Sequence, residues 1–139
     1  METSSKKAKG RRLQYWVAQK ISDVTGLPWG KDMPIESRPM GQSGADIRLD
    51  STARRFFPFY VECKNHERWK VTEWITELRK RAKFWLLFCS RNRFKPVVIM
   101  DAELFFSLYE KILKKWDVNK KEGGVVDVVE DSKRVGKKS

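Results

Sequence analysis

Cysteine and histidine are scarce in this chain, which has two cysteines and one histidine among 139 residues. A structural zinc site takes about four ligands from these residue types, so the sequence argues against zinc. Long apolar runs are also missing. No segment approaches the roughly 18 apolar residues of a membrane-spanning helix, and no apolar signal segment follows the N-terminal lysines. We therefore expect no membrane partner and a cytoplasmic location.

Acidic residues are the minority charge, with 18 Asp and Glu against 30 Lys and Arg, and the net charge is +12. Such a field attracts polyanions, and nucleic acid is the expected partner. Length and a 40% hydrophobic fraction predict one folded domain. We assign residues 1–12 to a basic arm, 13–116 to the domain and 117–139 to a C-terminal tail. The basic residues expected to contact DNA are Lys9, Arg11, Arg12, Arg68 and Lys70.

Apolar spacing predicts the order of helices and strands. Positions Leu13, Trp16, Val17, Ile21 and Val24 recur at helical spacing. A second helix is expected over residues 69–82, and a third after Asp101 as its cap. The apolar runs 85–89 and 96–100 predict strands buried on both faces. Val125–Val129 is either an edge strand or part of a flexible tail.

Two short segments contain the acidic and basic side chains that could form a catalytic site. Glu62 and Lys64 lie two residues apart in an apolar strand pattern, so they project from the same face. Asp46 begins the preceding apolar run, and pairing of the two runs would bring it next to Glu62. Two carboxylates at adjacent strands suit Mg²⁺, and Lys64 could orient an attacking water. A bare Glu-X-Lys is also the pattern of an ion pair on a half-exposed strand.

These segments resemble the core of the PD-(D/E)XK nuclease superfamily. The motif residues are Gly44, Ala45 and Asp46 before one strand, and Val61, Glu62, Cys63 and Lys64 in the next. Residues 9–14 and 37–44 further resemble phage-encoded relatives of Holliday-junction resolvases. The resemblance covers roughly residues 6–100. It implies a restriction-endonuclease-like α/β fold, with a mixed β-sheet core flanked by helices in a single domain. It also implies a location in the cytosol of a bacterium or a phage-infected host.

The resemblance also implies roles for individual residues. Asp46 and Glu62 would hold Mg²⁺, with Mn²⁺ as a substitute, the backbone carbonyl of Cys63 would be a third ligand, and Lys64 would assist the water. Relatives often have a glutamate where this chain has Gln14, which brings no charge but could hydrogen-bond a coordinated water. Solvent exposure of Gln14 is the alternative. Relatives also contact the phosphate backbone through residues that match Arg38 and Ser43.

The resulting hypothesis is a Mg²⁺-dependent DNA endonuclease that acts on branched DNA as a Holliday-junction resolvase. Two symmetric nicks would require a homodimer. One alternative is a restriction-like or repair nuclease acting on duplex or single-stranded DNA. The other is a DNA-binding module without catalysis, which Gln14 in place of an acid favours.

Overall fold

The computed structural model describes residues 4–39 and 44–121, with side chains described for residues 6–39 and 44–117. Contacts divide the chain into two compact units, the first ending at Met100 and the second beginning at Asp101. Each unit is described by itself. Ser43 and Val125–Val129, which carried sequence predictions, lie outside the described residues.

The first unit is built on a five-stranded mixed sheet whose strands are in chain order. The strands are β1 (Ile35–Ser37), β2 (Ile47–Leu49), β3 (Tyr60–Asn65), β4 (Trp85–Ser90) and β5 (Val97–Ile99). The pair β3 and β4 is parallel, and the other three neighbouring pairs are antiparallel. A parallel pair needs a crossover connection, which a helix between β3 and β4 supplies.

Three helices belong to this unit: α1 (Ser4–Thr25), α2 (Ser51–Phe56) and α3 (Val71–Arg81). Helix α1 contacts β1 and β3, α2 contacts β2, and α3 contacts β4. Asp50 caps α2, because its side chain accepts a hydrogen bond of 2.8 Å from the amide of Ala53. The short helix therefore begins directly at the end of β2.

The buried stripe of α1 differs from the predicted one. Leu13, Val17 and Ile21 are buried as expected, because residues four apart share a helix face. Trp16 is 42% exposed, however, and Val24 is also exposed. Both predictions were wrong because these positions lie on the side of the helix turned away from the sheet.

Two apolar clusters lie on opposite faces of β3. One cluster joins α1 to Val61 and the buried residues of β1 and β2. The other joins Leu78 of α3 to the buried residues of β4, with Tyr60 packed against it. Because side chains alternate along a strand, Glu62 and Lys64 share the face of Tyr60. The sheet therefore carries the acid and the base on the α3 side.

The two predicted central strands differ in burial. β4 is buried along most of its length, as its apolar run indicated. In β5, by contrast, Val97 and Val98 are exposed, so the prediction that this strand is buried on both faces was wrong. Among the described residues, β5 is a three-residue strand at the edge of the sheet and pairs with β4 on one side.

In the second unit, helix α4 spans Ala102–Lys121 and follows Asp101, the predicted cap. The amide of Phe105 donates to the carbonyl of Asp101 at 3.1 Å, which forms the first turn. Leu104 and Leu108 are partly buried, whereas Phe105 and Ile112 are exposed. The predicted helix after Asp101 is therefore present, but its apolar residues do not form a fully buried stripe.

The predicted α/β class, with a mixed sheet and flanking helices, is confirmed. It is the arrangement that the resemblance to restriction-endonuclease-like enzymes implied. Helix α1 begins at Ser4, inside the segment assigned to the basic arm, and the domain boundaries remain a prediction. Within the described ranges, no helix is long and apolar enough to cross a membrane.

Candidate active site

Asp46 is placed where β2 and β3 separate. Its amide donates to the carbonyl of Val61 at 3.0 Å, next to the paired residues Ile47 and Val61. Its carboxylate oxygen Oδ2 then accepts a hydrogen bond of 2.8 Å from the amide of Cys63. The side chain thus bridges the gap between the strands and is fixed beside the motif strand.

The carboxyl groups of Asp46 and Glu62 lie in contact. Burial, the charge of Asp46 and a hydrogen bond with it together raise the pKa of Glu62 to about 7. Lys64 and Arg81 act in the opposite direction and are outweighed. The charge of Asp46 therefore acts directly on Glu62, and the predicted neighbourhood of the two carboxyls exists in the fold.

The raised pKa of Glu62 predicts a pH-dependent stability of the metal-free protein. Between the usual value of 4.5 and about 7 the folded state holds a proton that the unfolded state has lost. This contribution is complete below pH 4.5 and is lost as the pH rises through 7. Glu62→Gln removes this titrating group. Its free energy of unfolding relative to wild type should therefore be about 1 to 2 kcal/mol higher at pH 8 than at pH 5, a difference that partial solvation of Glu62 keeps small.

Urea unfolding in EDTA at pH 5 and pH 8 measures this difference. The control is Glu73→Gln, because Glu73 is an exposed carboxylate in the first turn of α3. A stability difference between wild type and Glu62→Gln that is the same at both pH values would contradict the prediction.

Lys64 projects from the same strand face and contacts an aromatic ring of α3. Its ammonium lies 5.7 Å from the centre of the Trp74 ring, within the range of a cation–π contact. The same ring lies 5.3 Å from His66. A cavity of about 140 Å³ adjoins Glu62 and Lys64 on this side, and α3 lines it with Trp74, Glu77, Leu78 and Arg81.

Gln14 faces this region from the opposite helix. It is only 2% exposed, so the alternative of a solvent-facing residue was wrong. Its carbonyl oxygen Oε1 accepts a hydrogen bond of 2.7 Å from the hydroxyl of Ser37. The helical spacing of α1 places a polar residue directly beside its buried stripe, and β1 supplies a hydroxyl that partners it.

These groups open into one cavity of about 620 Å³ between α1, β3 and the segment after β3. The sequence-predicted residues that line it are Lys9, Gln14, Asp46, Glu62, Cys63, Lys64, Arg68 and Lys70. Arg11 and Arg12 are exposed on α1 and do not line it. Arg38 lines a separate groove with Arg48 and Arg54.

Four further residues line the cavity without having been considered for the site: Lys6, Gly10, Asn65 and Glu67. The amide nitrogen of Asn65 donates to the carbonyl of Lys9 at 3.1 Å and ties α1 to the end of β3. His66, whose role was left open, also lines the cavity. The helical spacing of Lys6, Lys9 and Gln14 could have indicated their shared face, but their proximity to β3 depends on the tertiary fold.

The donors at this site suit a hard cation. Oxygens from Asp46 and Glu62 are together, and their mutual repulsion is what a divalent ion would relieve. The backbone amides of Tyr60 and His66 donate hydrogen bonds toward β4. Because backbone groups alternate in direction along a strand, Cys63 directs its amide and its carbonyl to the other side, toward Asp46. Among residues with described side chains, no cluster of three or more His, Cys, Asp or Glu could hold a metal. Binding of a metal ion would therefore depend on the carboxylates of Asp46 and Glu62, the carbonyl of Cys63 and water.

Comparisons with curated proteins and with solved structures give no match. A family model described as "Phage putative PDDEXK endonuclease" matches residues 5–135. Nucleases of the PD-(D/E)XK class generally use divalent metal ions, and membership implies DNA as the substrate. Nearly the whole chain is matched, and the match includes both motif segments. The chain therefore belongs to the phage PDDEXK endonuclease family.

Proposed function

We propose that the protein is a Mg²⁺-dependent DNA endonuclease that hydrolyses phosphodiester bonds in branched DNA such as a Holliday junction. The observation that carries this proposal is the contact between the carboxyls of Asp46 and Glu62, with Lys64 on the same face of β3. An ion pair on a solvated strand, the simpler interpretation of Glu-X-Lys, does not account for a second, partly buried carboxyl beside Glu62.

In this proposal Asp46 and Glu62 hold Mg²⁺, with Mn²⁺ as a substitute, and the carbonyl of Cys63 is a third ligand. When bound, the metal ion supplies Lewis-acid polarisation of the scissile phosphate. The hydrogen bond from the Cys63 amide fixes one oxygen of Asp46 and leaves the other available. Hydrolysis leaves a 5′-phosphate and a 3′-hydroxyl, as in the relatives.

Lys64 has a different task, because its ammonium donates hydrogen bonds and carries charge. It orients the attacking water or offsets negative charge that develops on the phosphate. Gln14 supports the site from α1, where its amide can hydrogen-bond a coordinated water. The short contact between Ser37 and Oε1 of Gln14 holds that amide in one orientation.

DNA would reach the site over basic residues. Lys9, Arg68 and Lys70 line the cavity itself, and Arg11 and Arg12 lie exposed on α1 next to it. Arg38 would contact phosphates in the groove beside Arg48 and Arg54. Ser43, which lies outside the described residues, is proposed to support the site and to contact the phosphate backbone. Binding through phosphates should weaken steeply with salt.

The resolvase activity requires two nicks of matching polarity, which a homodimer with twofold symmetry supplies. A nuclease acting on duplex or single-stranded DNA would need only one site. The second candidate function is DNA binding without catalysis, and Gln14 is the observation that favours it, since Gln14 brings no charge where relatives have an acid.

Cleavage of a labelled four-way junction tests the proposal. Wild type and Glu62→Ala are compared in Mg²⁺ and in EDTA, with a linear duplex of the same arms as the second substrate. We expect paired, symmetric nicks in the junction that require both Mg²⁺ and Glu62. Glu73→Ala serves as the matched control, because it removes an exposed carboxylate from α3 and should cleave like wild type.

Equal rates on the junction and the duplex would exclude junction selectivity and leave a general nuclease. Single, unpaired nicks would argue against a symmetric dimer. Tight DNA binding with no cleavage in any divalent metal would favour the binding module.

A further inference from the structure

Two loops lie side by side at one end of the sheet. Because β3 and β4 are parallel, the segment after β3 and the turn after β4 leave the sheet at the same edge. We call residues 66–70 and 91–95 together the aromatic ridge. Its first loop also lines the cavity that contains Asp46 and Glu62. The ridge is therefore a continuation of the candidate active site.

The two loops are cross-linked by polar contacts. A carboxylate oxygen of Glu67 accepts a hydrogen bond of 3.1 Å from the amide of Asn92. The indole nitrogen of Trp69 lies 3.2 Å from the carbonyl of Ser90 and 2.9 Å from that of His66. These contacts hold the loops in one arrangement before any ligand binds.

Aromatic rings and a guanidinium group form the surface of the ridge. The rings of Trp69 and Phe94 meet edge to face at 5.2 Å. The guanidinium carbon of Arg91 lies 4.7 Å from the Phe94 ring centre and 5.6 Å from that of Trp69. Trp69 packs against the second apolar cluster, whereas Phe94 is 36% exposed. The cluster thus fixes one ring and leaves the other accessible.

The charge of the ridge is strongly positive. Five basic residues and one acidic residue occur in it, and the acid, Glu67, is engaged in joining the loops. Arg93 occupies the tip of the turn with a φ of 58°, a conformation that is uncommon for side chains other than Asn, Asp or Gly. A ligand of this surface should combine negative charge with a flat apolar face.

We propose that the ridge binds an unpaired nucleotide of the DNA next to the scissile phosphate, with the base stacked on Phe94 and the adjoining phosphates held by Arg91 and Arg93. This inference rests on the proposed function and deepens it. Phosphate contacts alone would require no exposed ring. Inside a duplex both faces of a base are covered by its neighbours, so only an unpaired base offers a face to Phe94. The ridge would select DNA whose strands separate at the cleavage site.

Phe84 provides a matched control. It is also an exposed aromatic residue, at 46%, and Lys83 lies 5.5 Å from its ring. It precedes β4, however, and therefore lies at the opposite end of that strand from the ridge. A general effect of removing an exposed ring beside a cation would appear at both positions.

The test is fluorescence anisotropy in EDTA, so that binding is measured without cleavage. The probes are a fluorescein-labelled intact duplex and the same duplex carrying a single-stranded flap. Phe94→Ala should weaken flap binding by about tenfold and change duplex binding by less than about twofold. Phe94→Tyr, which keeps a ring, should bind like wild type, and Phe84→Ala should change neither affinity. Phe94→Leu keeps apolar volume without the ring and should behave like Phe94→Ala.

Equal losses for flap and duplex, or no loss for either, would overturn the inference, as would a wild-type protein without preference for the flap. Thermal unfolding of each variant shows whether a loss of binding is due to misfolding. If Phe94→Ala is misfolded, the flap and duplex affinities of Phe94→Leu test the inference in its place. Cleavage in Mg²⁺ is measured separately. If cleavage depends on Glu62 but Phe94→Ala binds the flap like wild type, only the proposed role of the ridge is refuted. If the protein binds the flap selectively but does not cleave DNA, the proposed nuclease activity is refuted.

Discussion

Replacing Asp46 by asparagine is expected to lower the rate of Mg²⁺-dependent DNA cleavage by about a thousandfold or more. The variant keeps the size of the side chain and an oxygen that can accept the hydrogen bond from the Cys63 amide. The local backbone should therefore be unchanged. What is lost is one of the two proposed anionic ligands, and a metal ion's stabilisation of transition-state charge amounts to several kcal/mol. The measurement is single-turnover cleavage at saturating DNA across a range of Mg²⁺ concentrations.

Asp23→Asn is the matched control, because Asp23 is an exposed carboxylate on α1 that accepts a hydrogen bond from Gln19. This control should cleave at the wild-type rate. DNA affinity in EDTA should not fall in Asp46→Asn, since the substitution removes negative charge from a surface that binds a polyanion. Cleavage by Asp46→Asn within about tenfold of wild type would contradict the assignment of Asp46 as a metal ligand.

Replacing Lys64 by methionine is expected to reduce the cleavage rate at saturating DNA by about a hundredfold to a thousandfold, the usual effect of removing one charge-stabilising donor. Methionine keeps an unbranched apolar stem beside the Trp74 ring but removes the ammonium. Metal affinity should be retained, because Asp46 and Glu62 are intact. Metal titrations that follow intrinsic tryptophan fluorescence, together with single-turnover rates, separate binding from catalysis.

Lys70→Met is the informative comparison, since Lys70 lines the same cavity but lies on the segment after β3. Loss of this charge should weaken DNA binding and leave the rate at saturation almost unchanged. If both lysine variants show the same pattern, with weaker binding and a normal rate, Lys64 is a phosphate contact and has no part in the chemical step.

Local sequence was sufficient for the motif strands. Alternation placed Glu62 and Lys64 on one face of a strand, and the start of an apolar run placed Asp46 at the beginning of its neighbour. The observed pairing of Ile47 with Val61 is what these patterns required. Short strands with strong alternation are predictable because a one-residue shift in register would move every apolar side chain into solvent.

Burial was less predictable where an apolar residue had no partner. Trp16, Val97 and Val98 are apolar, yet the fold leaves them exposed. Periodicity indicates which residues share a face, but it does not say whether another element covers that face. The same limit applies to Phe94, whose contact with the Trp69 ring depends on two loops that are distant in sequence.

Gln14 shows the same distinction at the site itself. The sequence shows an amide at the position where the resemblance implied an acid, and this difference can be seen without a structure. Its burial and its hydrogen bond with Ser37 follow only from the packing of α1 against β1. Whether an amide at this position points at solvent or at the carboxyls is a tertiary property, because 23 residues separate the two partners.

The sequence by itself determined the family, the strands that carry the acid and the base, and the basic character that favours DNA. Each of these depends on residue identity or on spacing within a few residues. Only the tertiary structure decided that the carboxyl of Glu62 is partly buried beside that of Asp46, that α1 lines the cavity, and that the loops after β3 and β4 form one surface. Those features arise from burial and from contacts across the parallel pair, and local spacing contains no information about either.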